Sequence, residues 1–341
     1  MNIALDAMGG DYAPEVIVQG ALWAHSELGV NITLVGDQNL IRKELSKGGN
    51  IGNKIQIHHC SQMVAMDESP VKVLRHKKDA SIMVSFDLVK RGKAEAVVSA
   101  GNSGATVGAA VLRLGRIKGV ERPALAGIFP GAKGKVVLID VGANVDTRPR
   151  QLFEFGVMGD IFYRSLLNIN NPKVGLLSIG EEGGKGNEQV RIAHNLLKKG
   201  PFNFIGNVEG RDIFSGDVQV IVSDGFVGNV ALKLSEGLAE TMGIMFEREM
   251  SRGLISKLSF WLGRKAFENF KRNLDYAEYG GALLLGIKGV GIICHGSSSP
   301  KAIKNAIRIA ADFVNNHVQE RLEEGLDRYF SQKAFNEIDA I

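Results

Sequence analysis

The sequence predicts an α/β protein of three layers, a mostly parallel sheet covered by helices. Three observations point there. Short aliphatic runs alternate with longer stretches of helical period. Several runs are apolar throughout, the pattern of strands buried on both faces. Six runs end in glycine and small polar residues, as strand-to-helix turns require.

In chain order, the first strand opens "IALDAMGGD" (residues 3–11), and a helix is expected over 14–28. "NITLVGD" and "KIQIHH" follow as strands, then a helix over 70–91 and the strand "EAVVSAG". "ALAGIFPGAKGKVVLID" contains two apolar runs parted by a Gly/Lys turn, which predicts an antiparallel hairpin whose second arm is the strand "KVVLIDVG". Helices over 150–167, 187–199 and 301–325 alternate with the strands "PKVGLLSIG", "VQVIVSDG" and "GVGIICHG". No low-complexity linker divides the chain, so residues 1–341 are expected to form a single α/β catalytic domain.

Composition narrows the function classes. The 341 residues are 45% hydrophobic, which supports a folded core, and 41 basic against 37 acidic residues are too evenly mixed to indicate nucleic acid. The two cysteines, Cys60 and Cys294, are far apart and lack a C-x-x-C, so neither a disulfide framework nor a zinc site is expected. The opening "MNIALDAMGGD" lacks a basic region before its short apolar run, and no run of 18 apolar residues occurs. A cytoplasmic protein is the expectation.

The six strand ends are residues 3–11, 97–104, 137–144, 176–188, 220–229 and 292–299. In an open parallel sheet such ends line one crevice, where ligands bind. Glycine lets backbone approach a ligand, and the following helix offers free N–H groups to an anion. The same turns also serve any α/β fold, and this chain has 42 glycines; six together favour a site. They nominate, as phosphate- or substrate-binding residues, Asp6, Gly9, Gly10 and Asp11; Ser99, Gly101, Asn102, Ser103 and Gly104; Asn144; Asn187; Asp224, Gly225 and Gly228; and Gly296 and Ser297.

Familiar motifs fail when tested strictly. "GEEGGKGNE" spaces Gly180 and Lys185 too closely for a P-loop and follows the lysine with Gly186. "GIKGVGIICHG" precedes a strand, unlike a dinucleotide fingerprint. Lys185 beside Asn187 at a helix mouth suits one phosphate, and equally suits an exposed structural lysine. Cys294 and His295 are neighbours on a strand and point to opposite faces, so Cys294 reads as a buried hydrophobe. His295 stands at a crevice end, where a functional and a structural reading both fit. No metal-ligand motif appears, although Asp6, Asp11, Asp140 and Asp224 would make a metal site if they converged.

Residues 251–272, "SRGLISKLSFWLGRKAFENFKR", place Leu254, Leu258, Trp261 and Leu262 at helical spacing among Arg264, Lys265, Lys271 and Arg272. A basic amphipathic helix of this kind suits an acidic partner or a membrane surface, and also suits packing on a core or a second copy.

A resemblance now joins these pieces. "ALDAMGGDYAP", "SAGNSGA", "GRIKGVERPAL", "DVGANVD", "IGEEGGKGNE", "FIGNVEGRD", "SDGFVGNVALK", "YAEYGGALLLG" and "HGSSS" resemble, in this order, the phosphate acyltransferase family, PlsX. The resemblance implies an isocitrate/isopropylmalate-dehydrogenase-like fold related to phosphotransacetylase, with a protruding helical hairpin near residues 236–277. It implies transfer of a fatty acyl group from acyl carrier protein to inorganic phosphate, giving acyl phosphate for phospholipid biosynthesis, without a cofactor. A homodimer, a peripheral membrane position and contact with a downstream glycerol-3-phosphate acyltransferase are implied too. By the same resemblance Lys185 and Asn229 are the catalytic or phosphate-orienting candidates. His295 joins them as a donor to the departing thiolate. Tyr12 stands where members often have His, so no general base is assigned there, and Leu283 stands where many have Pro. Read from the residues alone, a metal-dependent decarboxylating dehydrogenase and a non-catalytic carrier-protein adaptor stay open.

Overall fold

The computed structural model describes residues 1–47, 55–167, 169–250, 263–265, 278 and 280–331. Among them, eleven strands form one sheet. In chain order the strands are β1 (Asn2–Asp6), β2 (Asn31–Gly36), β3 (Ile55–His59), β4 (Ala96–Ser99), β5 (Ala124–Gly131), β6 (Gly134–Ile139), β7 (Lys173–Leu177), β8 (Asn203–Val208), β9 (Val220–Val222), β10 (Ala282–Leu285) and β11 (Val290–Ile293). Their spatial order is β3-β2-β1-β4-β11-β10-β5-β6-β9-β7-β8.

Successive strand residues point to opposite faces, so the apolar runs feed two cores. Leu5, Val98, Ile139 and Leu283 belong to one core, and their neighbours Ala4, Val97, Leu138 and Leu284 to the other. The first core is covered by α1 (Glu15–Leu28), α2 (Gln38–Lys47), α6 (Pro149–Leu167), α7 (Glu188–Leu197), α9 (Pro300–Asn315) and α10 (Val318–Phe330). The second is covered by α3 (Pro70–His76), α4 (Ser81–Lys90), α5 (Ser103–Arg113) and the start of α8 (Gly225–Met250). The result is the three-layer α/β arrangement the alternation predicts. Helix α6 is buried along most of its length, and its Phe162 stacks on Phe313 of α9 with ring centroids 6.2 Å apart.

Two expected helices are each broken in two. The stretch 70–91 parts between α3 and α4 because the Asp79 carboxylate accepts from the Ser61 N–H at 2.7 Å and its hydroxyl at 2.6 Å, pulling the chain toward the sheet. The stretch 301–325 is interrupted at His317, whose backbone is left-handed (φ 52°) between α9 and α10. Strands β8 and β10 lie where no strand was expected. The "NFIGNV" of β8 mixes polar and glycine residues at the sheet edge, and β10 has only four residues.

The strand directions correct the expectation of one shared crevice edge. From β3 to β11 the strands run parallel; three antiparallel steps through β10, β5 and β6 then reverse the direction, and β6, β9, β7 and β8 run parallel again. The ends of β1, β4 and β11 therefore leave toward one edge, and those of β6, β9 and β7 toward the other. A single row of paired residues nevertheless links them: Leu5, Val98, Ile292, Leu283, Ala126, Ile139, Val222 and Leu176. Each parallel strand in that row is within a residue of finishing. The glycine-rich ends thus gather on either side of the sheet's middle line, above and below the antiparallel pair β10 and β5.

Glu154, on α6, is fully buried and accepts from the Glu121 N–H at 2.9 Å and from Arg150 at 3.3 Å. Burial, helped by the neighbouring Glu121 charge and opposed by Arg150, pushes its carboxyl from 4.5 to about 7. A carboxyl raised on folding stabilises fully below its unfolded value and loses that contribution as pH rises through the folded value. Relative to Glu154→Gln, the wild type is expected to lose about 3 kcal/mol between pH 4.5 and 7. Urea unfolding of both proteins across that range reads the difference, and parallel curves would contradict the assignment.

Candidate active site

The turn after β6 is built around one carboxylate. Asp140 is fully buried. Its Oδ1 accepts from the backbone N–H of Leu125 (2.9 Å), Gly142 (3.1 Å) and Ala143 (2.9 Å). Its Oδ2 accepts from the Asn144 N–H (2.8 Å) and the Asn144 side-chain amide (2.9 Å). Burial pushes this carboxyl up, but every one of these donors favours the charged form, and a protonated oxygen would face N–H groups. We read it as ionised.

That turn holds the next one. The Asn144 carbonyl accepts from the Gly225 N–H at 2.9 Å, and the Asp140 carbonyl accepts from the Ser223 hydroxyl at 3.2 Å. At Gly228 any side chain is excluded, since a Cβ would lie 1.9 Å from the Asp140 carbonyl oxygen. The Asp224 carboxylate caps α8 by accepting from the Val227 N–H at 2.9 Å. Asn229 follows as the fifth residue of α8, beside Gly142.

The other half is held by Asp6, buried at the end of β1, which accepts from the Ser99 hydroxyl at 2.7 Å. Ser99 in turn accepts from the Gly101 N–H at 3.1 Å. Gly9 must lack a side chain, because a Cβ there would sit 2.6 Å from the Asp6 carboxylate and 2.8 Å from the Gly101 nitrogen. Asn102 caps α5, accepting from the Ala105 N–H at 2.9 Å while its amide donates to Met66 and Glu68 carbonyls. The Asp11 N–H donates to the Gly296 carbonyl at 2.9 Å, joining the turns after β1 and β11.

Between these halves, over β5 and β10, lies a cavity of about 200 Å³. Leu125, Gly127 and Phe129, alternate residues of β5, form its floor, with Ala282 and Ile293 beside them. Ser103 at the start of α5 and His295 after β11 reach it from one half; Asn229 and Lys233 of α8 reach it from the other. His295 Nδ1 lies 2.7 Å from the Ser297 hydroxyl and accepts from the Ser297 N–H at 3.2 Å, which puts the proton of the neutral ring on Nε2. Cys294 is buried as expected, donates to the Gly280 carbonyl at 3.1 Å, and burial pushes its thiol up to about 12. Such a thiol is no nucleophile.

Of the residues nominated from sequence, the cavity brings together Ser103, Asn229 and His295. Lys185 is exposed on the loop after β7 and lines neither this cavity nor its neighbour, while Asn187 caps α7 by accepting from the Val190 N–H at 2.9 Å. The four aspartates do not gather at one site: Asp6 is engaged by Ser99, Asp140 by Leu125 and its own turn, and Asp224 by the Val227 N–H. Among the described residues, no three His, Cys, Asp or Glu side chains are grouped to hold a metal. Arg264 and Lys265 are exposed; Leu254, Leu258, Trp261, Leu262, Lys271 and Arg272 lie outside the described residues. Sequence reading missed Lys233, which pairs with Glu236 at 2.9 Å. Its signal was its place four residues after Asn229, on one helix face.

This arrangement is that of an α/β enzyme with its cavity between two oppositely directed half-sheets. Solved structures show the same fold: a phosphotransacetylase from Streptococcus pyogenes (TM-score 0.62, 20% identity, covering 92% of this chain and 94% of that one) and a 4-hydroxythreonine-4-phosphate dehydrogenase from Klebsiella pneumoniae (TM-score 0.55, 12% identity, covering 94% and 99%). Residues 1–321 match the family model described as fatty acid synthesis protein. The phosphate acyltransferase of Geobacter sulfurreducens is 54% identical over 331 residues, 97% of this chain and 96% of that protein, and that of Geotalea uraniireducens is 51% identical over 344 residues. The chain belongs to this fatty acid synthesis protein family of phosphate acyltransferases, and it is an acyltransferase.

Asp140→Asn keeps the shape of the buried group but turns an amide toward N–H donors. It is expected to cost about 2–3 kcal/mol of stability and to lower turnover by displacing Asn229. Chemical denaturation and acyl-transfer rates of the purified variant check both, and a variant of wild-type stability would contradict the role given to this carboxylate.

Proposed function

We propose that this acyltransferase moves a fatty acyl group from an acyl-carrier-protein thioester to inorganic phosphate, forming acyl phosphate for phospholipid biosynthesis. The observation that carries the proposal is the cavity itself: an apolar floor with Ser103, Asn229, Lys233 and His295 around it, in a chain 54% identical to a phosphate acyltransferase. The continuous sheet supports a single catalytic unit.

Phosphate is itself the nucleophile in this reaction, so a Ser or Cys nucleophile is unnecessary. The protein must desolvate phosphate and hold it about 3–3.5 Å from the thioester carbonyl. The first turn of α5 suits this, because Asn102 takes the Ala105 N–H and leaves those of Ser103 and Gly104 for an anion. The Asn229 amide, at the cavity beside Gly142, donates to the oxyanion as the carbonyl becomes tetrahedral. His295, with its proton on Nε2, meets the departing thiolate. Geometry adds Lys233 as the cation at the cavity; Lys185 stays in the proposal through the family resemblance.

Along α8, Leu234, Leu238, Met242 and Met245 are exposed on one stripe. This stripe supports a homodimer contact or a peripheral membrane position. Among the described residues no helix is long and apolar enough to cross a membrane.

Purified protein mixed with acyl-carrier-protein thioester and phosphate, without nucleotide, is expected to release carrier thiol and acyl phosphate in equal amounts. Thioester that survives at high enzyme concentration would overturn the proposal. Asn229→Ala is expected to lower kcat by about 10²–10³-fold with a smaller change in KM, and Lys185→Ala to raise the KM for phosphate. An Asn229→Ala enzyme of wild-type kcat would remove Asn229 from the chemistry.

A further inference from the structure

Beside the cavity runs a second, open groove of about 1280 Å³, and four arginines line it: Arg75 of α3, Arg116 and Arg122 between α5 and β5, and Arg148 before α6. Arg116 is committed to the protein, donating to the Val120 carbonyl at 3.2 Å and to the Glu121 carbonyl, which fixes the loop that carries Arg122. The guanidinium groups of Arg75, Arg122 and Arg148 are exposed and have no hydrogen-bond or ion-pair partner among the described residues. Two acids share the groove. Glu121 is already engaged by Arg150 at 3.4 Å and by the Gln151 amide at 3.1 Å, which leaves Asp146 against three free cations.

Three unpaired guanidinium groups around one groove repel one another, and an anion in the groove relieves that repulsion. Guanidinium forks match the paired oxygens of a phosphate. The groove also adjoins the reaction cavity through consecutive residues. Ser103 lines the cavity and Gly104 the groove; Gly142 lines the cavity and Ala143 the groove. From Gly104 to Leu112 it follows α5 for about 12 Å at the rise of an α-helix. The arm of a thioester that leaves the cavity past Ser103 and Gly142 would run along the arginines.

We propose that this groove binds the phosphate of the donor's pantetheine-type arm, with Arg75, Arg122 and Arg148 as its anion contacts. The inference rests on the acyl-transfer reading given above. It makes the arginines specificity residues: they distinguish a donor whose thiol is carried on a phosphorylated arm from one whose thiol is not. Carrier-protein and coenzyme A thioesters share that arm.

The test compares lauroyl-phosphopantetheine with lauroyl-pantetheine, which keeps the thioester and the whole arm and lacks only the phosphate. Wild type is expected to show a KM about 10-fold lower or more for the phosphorylated donor, an advantage that shrinks as salt is added. In Arg75→Gln/Arg122→Gln/Arg148→Gln that advantage should fall below about 2-fold. An advantage that persists in a folded triple variant, or that is absent from wild type, would overturn the proposal. If the triple variant unfolds, single replacements decide the matter, each expected to remove about 2- to 3-fold of the preference. Carrier-protein and coenzyme A thioesters run against the same variants identify the source, because the physiological donor has the lower KM in wild type and loses most in the variant. Should wild type turn over no thioester, the acyl-transfer reading fails; calorimetric titration with phosphopantetheine alone then tests the groove. Binding to wild type that is lost in the variant supports the proposal, and no binding to wild type overturns it.

Discussion

The Asp140 carboxylate is the interaction on which the site depends. A fully buried charge is tolerated only when its lone pairs are occupied, and here five N–H donors occupy them. Those donors come from the start of β5 and from the turn after β6, so one side chain ties together two strands running in opposite directions. The turn it shapes supplies the carbonyl that receives the Gly225 N–H, and this sets where α8 begins. Asn229 and Lys233 reach the cavity because α8 begins there.

The sheet reverses direction at its middle, which makes such an anchor necessary. In a uniformly parallel sheet, strand ends share an edge and the crevice follows from topology. In this protein the two groups of ends face opposite edges and meet only along the row through Ile292, Leu283, Ala126 and Ile139. The cavity opens on one face of that row, between α5 and α8. Ser103 and His295 approach from one half-sheet, Asn229 and Lys233 from the other. The α5 terminus and Asn229 thereby face one cavity, the arrangement that the proposed attack of phosphate on a thioester would use.

Much of this was legible in the residues. The continuously apolar runs marked buried strands, and the glycine-rich ends marked the turns that build the site. His295 was found because it sits where a strand has just finished, and Asn229 through the family resemblance. Strand direction was not legible, since an apolar run reads the same way up or down. The break at Asp79 depends on Ser61, eighteen residues away, and is invisible to local periodicity. Asp140 was noticed as a possible metal ligand; four of its five donors lie in the adjacent Gly142–Asn144 turn, while the fifth, the Leu125 N–H, is brought to it only by folding. Lys233 was overlooked because Lys185 occupied a more suggestive glycine-rich context, while the cavity is reached by helical spacing from Asn229.

Oxygen tracing tests whether phosphate itself attacks the acyl carbon. Acyl thioester with ordinary oxygen is turned over in phosphate labelled throughout with oxygen-18, and the acyl phosphate is analysed by mass spectrometry. Every oxygen on phosphorus, the bridging one included, is expected to be heavy and the carbonyl oxygen light. Free fatty acid carrying an oxygen from water, with no labelled acyl phosphate, would contradict it.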